Sequence, residues 1–415
     1  SATLLLGVAV GSVTSIGIAV FAGPFVEDVL RIPPDIQNTA VVALYLGSAN
    51  LLVSILGLTF QYILHGLQRF DWFMLVSNST SVLLTIGTLI AVLNGYGVPG
   101  LFVVSLIVSV ISFLVSAVLV KRLLPELRFR VSVGTEAWAE VWRYGVSIMA
   151  YQLFGSVLLL FERTWITRRF GPEALTFYVI PMTLAVYLQL FVASLVLAVF
   201  PLINQHISNR QILTDLYRDS TKLILALVVF AWVSAALGGE IFLGLWLNAE
   251  FARNSYHILL VNLVVFSMVA LALVAWQVAE SFRVAYLTAA VNFLWMAISI
   301  PLMVTLSYKW QIFGVAYARL IGVLVYIPLI IYVERRFLGG VFWLHWSSVG
   351  IRVFGAGCVA GLAEYFLLTQ LSHSWLSLSV TILIGAIIYV SLLYFFRLFG
   401  PDARSLLRTV FLWIR

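Results

Sequence analysis

Charge is what this chain has least of. Only 10% of its 415 residues are Asp, Glu, Lys or Arg, against 62% hydrophobic, and the mean hydropathy is +1.07. A soluble domain carries roughly 25% charged residues, so a water-exposed globular surface is excluded and a bilayer is the natural solvent. A single cysteine, Cys358, leaves no partner for an intramolecular disulfide and reads as a small apolar helix residue. There is no P-loop, no HExxH and no CxxC, so no soluble-enzyme constellation is present, ATP hydrolysis by a P-loop is not expected, and neither a cofactor nor a metal is expected. The net charge of +7 comes from basic residues scattered between apolar runs, which argues against nucleic acid. Ser1 to Leu6 already lie inside an apolar segment with no basic lead-in, unlike a signal peptide.

What is abundant is apolar runs of 18 or more residues, each able to cross ~30 Å of hydrocarbon. Twelve spans are expected, at 3–22, 39–66, 73–93, 99–120, 144–167, 173–200, 217–238, 255–280, 284–307, 312–334, 350–371 and 375–397. The turn cluster Asn94-Gly95-Tyr96-Gly97-Val98-Pro99-Gly100 and the pair Gly171-Pro172 separate spans, while Pro181, Pro301 and Pro328 fall inside them as expected kinks. With twelve spans, 17 of the 24 Lys and Arg fall on one side and 5 on the other, leaving Arg163 and Arg319 within spans. That split makes the first side, and both chain ends, cytoplasmic. Residues 401–415 are too short to cross. Arg404, Arg408 and Arg415 share one helical face and Leu407, Phe411 and Ile414 lie near the opposite one, so an amphipathic tail on the inner leaflet is expected.

The chain also repeats. An offset of 214 residues aligns Arg69 with Arg283, Asn78 with Asn292, Gly100 with Gly314, and Lys121-Arg122 with Arg335-Arg336. Six spans separate equivalent positions, so both copies insert the same way up, as a parallel repeat. The expectation is an all-α polytopic membrane protein of two lobes plus an extra helix pair. Residues 1–124 form an N-terminal lobe of four helices, 144–336 a C-terminal lobe of six, and 350–397 the pair. Two helices of the first copy are expected to precede Ser1.

Two lobes so related would enclose a cleft, with polar helix faces turned to it. Asn50, Ser54, Gly57, Gln61 and His65 share one face of the second span, Asn78 begins a similar stripe on the third, and Asn292 is its repeat mate. Gln152 shares a face with Arg163, and Gln277 and Glu280 close the eighth span. Such stripes also serve plain helix packing. Charge at depth is the sharper signal, because an Arg there costs ~2.5–3.5 kcal/mol on insertion scales and normally faces a cavity or a partner. Arg163 and Arg319 are such residues, Glu162 is placed to pair with one of them, and Glu280 and Glu364 are candidate coupling carboxylates. No Asp lies at mid-span, which weighs against a cation-drug pump.

HGLQRFDWFMLVSN (65–78), ERTWITRRFGPEALTFYVIPMTLA (162–185) and Phe200-Pro201-Leu202 resemble the polysaccharide-biosynthesis flippases. These form the Wzx-like branch of the superfamily that also holds multidrug and toxin exporters and lipid II flippases. Glu162-Arg163 keeps that family's acidic-then-Arg pattern in variant form, whereas Thr176 stands where its glycine is usual. The resemblance implies alternating access by a two-lobed cavity in the cytoplasmic membrane, carrying a polyprenyl-diphosphate-linked oligosaccharide. Arg163 and Arg319, with Glu162, would then handle the diphosphate. Gln152, Asn50, Gln61, Asn78, Asn292 and Gln277 would contact sugars, and a glycan polymerase or glycosyltransferase would be a partner. An ion-coupled small-molecule antiporter of the same fold and a membrane scaffold or non-functional product are the competing readings.

Overall fold

A computed structural model of the chain describes residues 2–29, 34–67, 69–125, 135–282, 284 and 286–398. The amphipathic tail expected at 401–415 lies outside the described residues. Two compact units divide the chain, Ser1–Arg143 and Tyr144–Arg415.

In the first unit α1 (Ala2–Pro24) runs into a π-helical turn, Phe25–Val29, and is followed by α2 (Pro34–Gly66), α3 (Phe70–Leu93) and α4 (Gly97–Leu123). The second unit holds α5 (Thr135–Gln205) from Tyr144 onward, α6 (Arg210–Trp246), α7 (Ala249–Ser281) and α8 (Tyr286–Val323). α9 (Tyr326–Val333) then passes into a π-helical turn, Glu334–Leu338, before α10 (Trp343–Gln370) and α11 (Trp375–Phe395). Among the described residues the chain is helical and has no strand, and it is a multi-pass membrane protein. Ten stretches are long and apolar enough to cross a membrane. Two of them, 45 residues within α5 and 53 across α8 and α9, would be ~70 and ~80 Å long if straight, more than twice the hydrocarbon core.

Each of those two folds back at one residue. Gly171 breaks α5 at φ 89° and Gln311 breaks α8 at φ 49°. Arg319 Nη1 touches both Glu162 and Met182, which lie nine and eleven residues either side of Gly171, so the arms of α5 run side by side. The Tyr326 hydroxyl likewise reaches Asn292 Oδ1 across the Gln311 turn. Counting both breaks, the ten stretches make twelve passes. The helices begin earlier than the spans expected from sequence: α6 starts at Arg210 and the first arm of α5 at Thr135.

The repeat is visible in the element bounds. Shifted by 214, α2, α3 and α4 fall on α7, on the first arm of α8, and on its second arm with α9. The shift also carries Gly97, at φ 62°, onto Gln311, so both copies turn on a left-handed residue at the same place.

The three prolines expected inside spans sit in different backbone settings. The helical backbone runs unbroken through Pro181 and Pro301, and a break occurs only before Pro328, between Val323 and Tyr326. A proline frees the carbonyl four residues earlier. For Pro181 that carbonyl belongs to Phe177, and it accepts a hydrogen bond from Ser255 Oγ of α7 at 2.9 Å. The neighbouring helix replaces the missing donor, so the helix has no electrostatic reason to open.

Large apolar side chains stand exposed while four charged ones are buried among the described residues. Leu344 and Phe395 are 86% and 78% exposed, whereas Glu162, Arg319, Glu334 and Glu364 are buried. That inversion suits a lipid solvent, where van der Waals packing and interhelical hydrogen bonds hold helices together.

Candidate functional site

The polar stripe of α2 faces α4. Ser54 Oγ and Ser109 Oγ lie 3.2 Å apart, and Gln61 Nε2 donates to Ser112 Oγ at 3.0 Å. Thr80 of α3 donates to the same Ser112 oxygen at 3.0 Å, closing a buried three-helix network. Gly57 lies against the Phe113 backbone of α4, at a distance where an added Cβ would make ordinary contact. The stripe therefore ties the first unit together. His65 sits edge-on between Phe70 and Phe73 at the end of α2. Asn50, half-buried, keeps a buried Oδ1 with no hydrogen-bond partner among the described residues, and Asn78 is exposed.

The second unit holds a polar cluster where both arms of α5 meet α7 and α8. Glu162 is 0% exposed and Arg319 5%. Arg319 Nη1 donates to Glu162 Oε2 at 2.5 Å and contacts Met182 Sδ at 3.1 Å. The guanidinium stacks near the Phe266 and Trp295 rings, at 5.2 and 5.4 Å from their centroids. Its own carbonyl accepts from Trp295 Nε1 at 3.4 Å. Asn292, the repeat mate of Asn78, is buried beside this cluster, donating to Thr288 O and accepting from the Tyr326 hydroxyl. The Tyr178 hydroxyl lies beside the ion pair without hydrogen-bond geometry, and Glu162 Oε1 and Arg319 Nε are also unpaired there. Such orphaned atoms around one ion pair mark a place with more hydrogen-bonding capacity than the fold uses.

Seven residues of helix separate Arg163 from Phe170 and Arg319 from Ile312, so both arginines sit ~10 Å from the turns that end their arms. They are nonetheless presented differently. Arg163 follows Glu162, hence lies ~100° further round the helix, and it is exposed with no ion pair among the described residues. The structure pairs Glu162 with Arg319 and does not bring Arg163 into that cluster. Gln152 is exposed on the same arm, and Gln277 is half-buried near the end of α7. Glu280 accepts a hydrogen bond from Trp276 Nε1 at 2.7 Å. Glu364 lies apart, between α10, α6 and α11, bonded to Ser234.

Two features escaped the sequence reading. Glu334, fully buried, accepts from the Tyr217 hydroxyl, Trp346 Nε1 and the Phe342 amide, joining α6, α9 and α10. In sequence it merges with Arg335-Arg336 and looks like loop charge. At the turned ends of α5 and α8 a cavity of about 380 Å³ is lined by Phe170, Phe177 and Phe313 with the amides of Asn254 and Gln311. Beside it Arg169 stacks on Tyr308, 4.1 Å from the ring centroid. Rings beside amides make a surface suited to polar rings with apolar faces. The left-handed Gly97, 214 residues before Gln311, was the available signal for the turn that builds it.

Residues 2–207 match the family described as "Polysaccharide biosynthesis protein". No curated protein matches the chain. Among solved structures it is similar to a lipid II flippase, MurJ, in an inward closed conformation. The TM-score is 0.70 at 13% identity, covering 95% of this chain and 83% of that one. An outward-facing multidrug-resistance MATE transporter of the MOP superfamily aligns with TM-score 0.64 at 15% identity, covering 81% of this chain and 78% of the other. A MOP-superfamily transporter from Pyrococcus furiosus, described by the reverse polarity of its binding pocket, gives 0.62 at 14% identity over 80% and 77%. The chain shares the fold of these membrane transporters.

Proposed function

We propose, from the premise that over residues 2–207 the chain belongs to the polysaccharide biosynthesis protein family, that it is a flippase for a polyprenyl-diphosphate-linked oligosaccharide. It acts by alternating access in the cytoplasmic membrane, with both chain ends in the cytoplasm. No bond is made or broken. The observation that carries the substrate reading is the division of labour between the two in-span arginines. Arg319 is neutralised by Glu162, whereas Arg163 remains exposed and without an anionic partner among the described residues. A guanidinium keeps its charge and offers a planar fork that matches phosphate oxygens. Arg163 is thus the residue that meets the diphosphate, and the Glu162–Arg319 pair holds the two arms of α5 against α8 behind it. The amide- and phenyl-lined cavity gives sugar units a surface on the same unit. The polyprenyl tail stays in lipid.

Deleting the gene in its host is expected to accumulate polyprenyl-diphosphate-linked glycan in the membrane while cationic-dye efflux stays unchanged. The wild-type gene clears the glycan, and Arg163→Ala fails to, with transport reduced at least ~10-fold, the loss of one charge-assisted contact of ~1.5–3 kcal/mol. Arg163→Lys restores part, since an ammonium keeps charge without the fork. Normal glycan with lost efflux would overturn the reading in favour of the antiporter.

A further inference from the structure

α10 and α11 pack against α6, and a single carboxylate lies inside that three-helix joint. Glu364 of α10 is 1% exposed. Its Oε1 accepts from Ser234 Oγ of α6 at 3.0 Å. The same Oε1 fills a notch at Gly385 of α11, where any Cβ would overlap it. One turn earlier on the same face of α11, Thr381 is fully buried and its hydroxyl has no partner among the described residues. Gly357 and Gly361 bring α10 close against Val229 and Val233 of α6, which leaves the joint tight. Gly385 is ten residues into α11, hence ~15 Å along a helix crossing ~30 Å of hydrocarbon: the carboxylate sits near mid-depth.

Among the described residues no cation shares the joint. α11 contains no Asp, Glu, Lys, Arg or His. On α6 the nearest ionisable side chain to Ser234 is Glu240, six residues on and exposed. On α10 itself Arg352 is twelve residues away and exposed, as are Cys358 and Tyr365. The Tyr389 hydroxyl of α11 is committed to Ala226 O at 2.9 Å. The contrast with Glu162, whose burial is compensated by Arg319, is direct. An isolated carboxylate at this depth carries its charge only at a heavy desolvation cost, whereas the neutral acid has one O–H donor and acceptor oxygens to place.

We infer that Glu364 is a proton-binding site whose neutral acid form locks α10 and α11 onto α6, and whose deprotonation parts the joint. The acid accepts from Ser234 and turns its own O–H toward α11, where Thr381 Oγ1 is unpaired. On opening, the proton passes to the water that enters and the carboxylate is solvated. Because the packed joint binds one proton more than the open one, rising pH favours the open form. The inference goes beyond the substrate reading and holds whatever solute the protein carries.

The test uses the full chain in lipid nanodiscs. Infrared spectra at neutral pH should show a carboxylic-acid carbonyl band in the wild type that Glu364→Gln lacks. Spin labels on the native Cys358 and on Gln211→Cys, an exposed position at the start of α6, read the joint. Their separation should lengthen with rising pH in the wild type and stay at its low-pH value in Glu364→Gln. A missing band, or the same pH response in both proteins, overturns the proposal. Failure of Glu364→Gln to fold also overturns it, since the amide copies the shape and charge of the acid.

Discussion

Replacing Arg319 with alanine destabilises the protein by about 3–5 kcal/mol, the range for removing one partner of a buried ion pair. The magnitude follows from what is left behind. Glu162 Oε2 loses a donor at 2.5 Å, and its other oxygen already lacks one. The carboxylate is 0% exposed, with Ile166, Met182 and Tyr178 among the buried residues of the same core, so water cannot take over. Removing both charges is far milder. Arg319→Met combined with Glu162→Gln keeps the volume and leaves no buried charge, so most of the stability returns. A double-mutant cycle read by unfolding in detergent micelles checks this, with a coupling energy of at least about 2 kcal/mol expected. Additive effects would mean the pair contributes nothing beyond its separate side chains. Arg163→Ala, an exposed residue on the same arm, moves stability by no more than ~0.5 kcal/mol. The two arginines are thereby separated experimentally, one by folding and the other by transport.

Much of the fold was legible because lipid constrains sequence so strongly. Twelve apolar runs, breakers at Gly95 and Gly171, and one 214-residue offset are enough to lay out spans and repeat, since every backbone group at depth must be satisfied within helices. The cluster was legible only halfway. Charge at depth drew attention to Glu162, Arg163 and Arg319, but which arginine meets the carboxylate depends on helix rotation, and one residue turns the side chain by ~100°. The stripe on α2 shows the same limit from the other side. Gln61 looks equally apt for a sugar or for Ser112, and only the packing of α2 on α4 decides which oxygen it reaches. Glu334 was invisible because its partners come from α6 and α10, far away in sequence.

The turn at Gln311 carries the second large effect, with opposite signs three residues apart. Gly314→Ala is expected to cost at least about 3 kcal/mol, at or beyond the usual range for overpacking. A Cβ there would overlap the Leu306 carbonyl and lie 2.7 Å from Ser307 N, and backbone atoms of the other arm cannot rotate away as a side chain can. To admit it the arms of α8 must separate, which pulls Gly322 from Ser299 and Trp295 and loosens the strand of contacts leading to Arg319. Gln311→Gly acts the other way. A non-glycine residue at φ 49°, ψ −131° stores roughly 1–3 kcal/mol, and glycine relieves it while adding ~0.5–1 kcal/mol of backbone entropy to be lost. The balance is a gain of up to about 1–2 kcal/mol, seen as a higher unfolding temperature in micelles. Gln311 would then be a residue kept for its amide at the cavity mouth and not for its backbone, so the glycine variant should be more stable and transport less glycan. Unchanged transport in a stabilised Gln311→Gly protein would remove that cavity from the substrate path, and a stable Gly314→Ala protein would show that the arms do not meet as closely as the turn demands.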